Sequence, residues 1–154
     1  MKGDLLPAAD NVVRYVRPTN IGDDGTINGS EFRRSRRRPD DPGLSVNWLE
    51  YFAGGKEEQL SEIRRLRRLV WRASGRLAEL NVGATTEHLL EELPSFQIVE
   101  HPLVAEGDFD PDPSHAEMIG LPQDGESEFA ELIGDMIVEC VIATYAPLVP
   151  DAPV

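Results

Sequence analysis

His115 is the side chain in this sequence best suited to moving a proton, and Asp112 and Ser114 stand just ahead of it. An imidazole titrates near neutral pH, and a neighbouring carboxylate can orient it and favour its charged form. Arg14 or Arg17 could hold an anionic substrate group against such a centre. Ser45, Asn47 and Trp48 supply polar groups around an indole, a combination that suits the lining of a cleft. Together these residues describe an enzyme acting on a phosphorylated or nucleotide-like substrate. The structural reading of the same residues is preferred: Asp112 or Ser114 turns the chain, His115 fills a strand edge, and Trp48 anchors the core.

Other chemistries find little support. Three histidines (His88, His101 and His115) and one cysteine, Cys140, give no metal-ligand spacing, so neither a metal nor another cofactor is expected. Asp108, Asp110 and Asp112 suggest a calcium loop, but a loop counted from Asp108 would need glycine at Pro113 and glutamate at Ile119. No phosphate-cradling glycine loop, serine elbow or zinc-protease motif is present. Cys140 falls on the apolar arc of a helix and reads as an inert thiol.

The elements that must position these groups follow from periodicity and punctuation. Asn11 to Val16 reads as a strand closed by Arg17-Pro18. Leu44, Val46 and Trp48 alternate before a helical turn in LSVNWLEYF, and Phe96–His101 and His115–Leu121 are further strands. Ser30 to Phe32 fits a strand or a helical turn equally well. Gln59 to Arg72 is an amphipathic helix, with Leu60, Ile63, Leu66, Leu69 and Val70 inward; Ala78, Leu80 and Val82 alternate as a strand would, but the helix is read on past Gly75 to Leu80. Trp71 would stand among Arg64, Arg67 and Arg68 on the basic face. Thr85 or Thr86 caps a short helix to Leu93, and Ser127 to Tyr145 forms a final helix.

Charge is partitioned along the chain. The net charge is −13, yet residues 33–76 carry twelve basic and six acidic groups, and residues 77–154 carry seventeen acidic and no basic ones. Glu128, Glu131, Asp135 and Glu139 make an acidic stripe on the final helix, and within the arginine helix only Glu62 and Arg65 form a favourable close pair. The two stripes are expected to meet, within one chain or between copies. Five arginines from Arg33 to Arg38 precede prolines and read as a mobile loop at 33–43. That loop, including Arg36, and the helix face could bind nucleic acid, but the acidic total and the absence of interleaved aromatics make this the less favoured reading.

The blocks RYVRP, LSVNWLEYF and DPSHAEMIG, followed by a final helix, resemble those of a group of small uncharacterised bacterial proteins. The resemblance implies a bacterial accessory protein and no particular activity, and it singles out Arg14, Ser45, Trp48 and His115. The expected fold is α+β: one domain over residues 1–146, a small, mainly antiparallel sheet packed by two long amphipathic helices, and a loose tail at 147–154. With no leader and no apolar run long enough to span a membrane, a cytoplasmic protein is expected. The expected role is non-catalytic binding of a protein partner, immunity or antitoxin-like, or of a second copy. Arg64, Arg67, Arg68, Trp71 and Arg36 are the expected contact residues.

Overall fold

The computed structural model describes residues 1–34, 41 and 43–149, and its centre is a six-stranded sheet in which every pairing is antiparallel. Its strands are β1 (Asn11–Val16), β2 (Leu44–Trp48), β3 (Arg76–Asn81), β4 (Gln97–Glu100), β5 (His115–Ile119) and β6 (Val141–Tyr145). They lie side by side in the order β4-β5-β2-β1-β3-β6. Three helices complete the fold: α1 (Lys56–Leu66), α2 (Val82–Leu89) and α3 (Glu128–Val138). The α+β class is therefore as expected. The helices are shorter than expected, α1 and α3 having 11 residues each. None is long and apolar enough to cross a membrane among the described residues.

Both faces of the sheet are covered. Val12, Val46, Leu80, Ile98, Ala116 and Met118 pack with Phe32, Leu89, Ile133 and Ile137, which places α2 and α3 on one face. Val13, Leu49 and Leu77 pack with Leu60 and Ile63 of α1 in a second core. Val12 and Val13 are adjacent and both buried, as a strand sandwiched between two layers requires. At the β4 edge the N-terminal segment adds main-chain bonds, including Gly3 N to Glu100 O at 2.8 Å and Leu6 N to Ile98 O at 3.1 Å.

Several local expectations are corrected. The arginine helix stops at Leu66, where Arg67 is already extended (ψ 138°). A continued helix would set Arg64 against Arg68 at a spacing where like charges repel. Instead Trp71 leaves the helix to stack on Tyr15, with ring centroids 5.2 Å apart and planes 2° from parallel. The stretch read as helix up to Leu80 is β3, an inner strand with Leu77 to Leu80 all buried, so the strand-like alternation of Ala78 and Leu80 is the signal the fold follows. Gly75 allows the turn into it, because a Cβ there would lie 2.8 Å from the Val16 carbonyl oxygen.

Asn81, not Thr85 or Thr86, caps α2: its side-chain oxygen accepts from Ala84 N at 2.8 Å. Both threonine hydroxyls lie within the helix and donate back to Asn81 O and Val82 O. The final helix ends at Val138, and Val141–Tyr145, rich in β-branched residues, forms the edge strand β6. Cys140 thus sits in the connecting turn rather than on a helix, half-buried, and burial raises its thiol pKa. Ser127, where the final helix is expected to begin, caps α3 by accepting from Ala130 N at 3.1 Å. α3 lies directly on the 3-10 turn Gly29–Phe32, since a Cβ on Gly134 would meet Gly29 O at 2.4 Å.

Candidate functional site

Strand pairing brings His115 into a polar row on β2 and β5. Asn47 is opposite His115 and Ser45 is opposite Glu117, and Asn47 pairs in turn with Val13 of the α1-side core. His115 Nδ1 lies 2.7 Å from the backbone oxygen of His101, so it carries the hydrogen and donates it. Its Nε2 is then the acceptor, 3.1 Å from Ser45 Oγ. The His101 ring stands edge-on, with its Nδ1 3.3 Å from His115 Nδ1 and 3.8 Å from Glu117 Oε1. Burial pulls the His115 pKa below its ordinary value, which favours the neutral imidazole.

Asp112 does not orient this histidine. Its Oδ1 accepts from Ser114 N at 3.1 Å and Ser114 Oγ at 2.7 Å, and its Oδ2 accepts from Asn47 Nδ2 at 3.0 Å. Asp112 and Ser114 are buried and fix the turn into β5. The pairing of His115 with Asp112 and Ser114 is thereby replaced by a pairing with Ser45 and His101. His101 and Glu117 were absent from the sequence-based candidates, because only the β2, β4 and β5 register reveals their proximity.

The other candidates are largely engaged. Arg14 donates from Nε to Glu31 O at 2.9 Å and from Nη1 to Ser45 O at 2.7 Å. The Arg17 guanidinium lies 3.3 Å from the buried Glu31 carboxylate, which Asn20 Nδ2 also reaches at 2.7 Å. Neither arginine is thus an unoccupied anion receptor beside His115. Trp48 is part-buried and donates from Nε1 to Asp10 Oδ2 at 2.8 Å. An open depression beside α1, lined in part by Glu57, Glu58, Glu62 and Arg64, is acidic and includes none of the His115 cluster.

The arginines of α1 find partners outside α3. Arg64 donates twice to Ala146 O, at 3.2 and 2.8 Å, and Arg65 pairs with Glu62 at 2.8 Å and Asp110 at 3.3 Å. Arg68, beyond the helix end, donates to Val104 O and Asp110 O, approaches Glu106 at 3.7 Å and lies over the Phe109 ring; its Nε is buried without a partner among the described residues. The expectation that the basic and acidic stripes meet within the chain is corrected, since α1 and α3 lie on opposite faces of the sheet. The acidic segment from Glu106 to Asp110 supplies the carboxylates instead. Glu131 of α3 lies 3.8 Å from Arg33, and Glu139, just past the end of α3, lies 3.0 Å from His88.

Past the helix, Trp71 turns into the α1-side core rather than joining a basic face. Arg67, Arg72 and Arg76 are exposed, and none has a carboxylate partner among the described residues. Between them Leu69 and Val70 are 61% and 91% exposed. Arg36 lies outside the described residues. In comparisons with known proteins, no family model, no curated protein and no solved structure matches this chain.

Proposed function

We propose that this chain is a non-catalytic accessory protein of bacterial type, immunity or antitoxin-like, that binds a protein partner through its charged surfaces. The observation that carries the proposal is the segment from Arg67 to Arg76. It displays two aliphatic side chains to solvent, flanked along the chain by arginines with no carboxylate partner among the described residues. An acidic partner with apolar contacts would bury the two aliphatic side chains and meet the cations. Arg64 and Arg68 are tied internally, which leaves Arg67, Arg72 and Arg76 as the available cations.

Native mass spectrometry of the chain purified from its source cells at low and high salt tests this reading. A complex with a second protein that dissociates as salt rises, and is lost in Val70→Asp, is the expected result. A mass equal only to the chain or its multiples at every salt concentration overturns it.

A second reading has one specific observation behind it: neutral His115 accepts from Ser45 Oγ, an arrangement that can activate a serine for acyl transfer. A serine-directed fluorophosphonate probe that labels the wild type, but neither Ser45→Ala nor His115→Ala, supports this reading; no labelling of the wild type removes it.

A further inference from the structure

The arginine-aliphatic segment has a counterpart on the far side of the same molecule. Along α3, Glu128, Phe129, Glu131, Leu132 and Asp135 are exposed, and Ala130, Ile133, Gly134 and Ile137 are buried. At about 100° per residue the exposed set occupies one continuous arc of the helix, acidic along one side and apolar along the other. Phe129 and Leu132 lie within that arc and are 42% and 45% exposed. An apolar pair beside carboxylates on α3 thus complements in charge an apolar pair that Arg67, Arg72 and Arg76 flank along the chain.

The two surfaces cannot reach each other within one chain. Trp71 anchors the arginine segment in the core on the α1 side, and Ile133 and Ile137 anchor α3 in the core on the other side. A second copy removes the obstacle. We propose that the Leu69-Val70 segment of one copy docks on the Phe129-Leu132 face of α3 of another, the arginines lying against Glu128, Glu131 and Asp135. The proposal rests on reading these surfaces as docking surfaces and names their occupant. Because two different patches meet, the contact is head to tail. It either closes into a ring or propagates. Weak association is expected: the patches are small, and copies carrying −13 each repel one another at long range.

Sedimentation of the purified full chain over a wide concentration range, at about 50 and about 500 mM salt, tests the proposal. Reversible self-association that weakens with salt is expected, and Val70→Asp or Leu132→Asp should each weaken it by about tenfold or more. Both substitutions are at exposed positions, and unchanged far-ultraviolet circular dichroism verifies folding. Mixing the two variants decides the geometry. Each is impaired alone, yet the intact α3 face of the Val70→Asp copy still meets the intact segment of the Leu132→Asp copy, so a one-to-one heterodimer forms. A wild type that stays monomeric at low salt overturns the proposal, as does association indifferent to either substitution or a mixture that does not recombine. Such a monomer leaves the partner-binding reading to its own test, because a foreign acidic chain could still occupy the arginine segment.

Discussion

The Tyr145 hydroxyl donates to Glu79 Oε1 at 2.5 Å, tying the edge strand β6 to a carboxylate buried in β3. The other oxygen of Glu79 accepts from Lys56 Nζ at 2.6 Å and Asn11 Nδ2 at 2.5 Å, so one side chain links α1, β1, β3 and β6. Burial alone would push the carboxyl pKa up, but these three donors outweigh it and hold it below the ordinary value. Burial, and then the bond to Glu79, pushes the Tyr145 hydroxyl up to about 12.

Removing the carboxylate should therefore be costly. Glu79→Ala leaves Lys56 and the Tyr145 hydroxyl without their acceptor, at a cost of about 2–3 kcal/mol. A carboxyl pKa depressed by folding contributes stability above its unfolded value near 4.5, and that contribution disappears as pH falls through the lower folded value. Urea melts from pH 7 down to pH 3 should show this loss in the wild type, with a shallower decline in Glu79→Gln.

His115 gives a pH dependence of its own, in a different window. Its folded pKa lies below the unfolded value of 6.5, so the unfolded chain binds the proton first, and stability falls as pH drops through 6.5 toward the folded value. Above that window the neutral ring is favoured in both states and contributes no pH dependence. Thermal melts between pH 8 and pH 5 should lose this component in His115→Gln. An unchanged slope in the variant would show that another group titrates.

The contact between α3 and the 3-10 turn at Gly29 leaves no room for a methyl group. Gly134→Ala would place Cβ 2.4 Å from Gly29 O, forcing the helix outward at a cost of about 1–3 kcal/mol despite alanine's better helix propensity. Chemical denaturation should show the loss, whereas alanine at exposed Asp135, one residue on, should cost far less.

The cap of α2 can be separated from its interior threonines. Asn81→Ala removes the acceptor for Ala84 N and should cost about 1 kcal/mol or more, because Asn81 Nδ2 also donates to Asn11 Oδ1 at 2.9 Å. Thr86→Ala deletes only a bond back to Val82 O and should change stability by less than about 0.5 kcal/mol. Equal losses in the two variants would return the cap to the threonines.

Much of this architecture is written in local chemistry. β1 has the bounds that its valines and Arg17-Pro18 announce, β2 turns helical after Trp48, β5 starts at His115, and Ser127 opens α3. In each case the signal lies within a few residues: an alternation, a proline that removes a donor, or a hydroxyl that caps. The Glu62–Arg65 pair is equally local. Beyond that range the tertiary structure decides. Leu77 to Leu80 and Val141 to Tyr145 are strands because their neighbours pair with them, and apolar residues that could equally extend a preceding helix do not decide between the two locally. The arginines of α1 and Arg68 meet Glu106, Asp110 and Ala146 because a charge pairs with whatever the fold brings near. Ser45 joins His115 across 70 residues because β2 pairs with β5 in one register. The sequence alone determined the composition of the two charged surfaces; only the sheet between them decided that they face opposite ways.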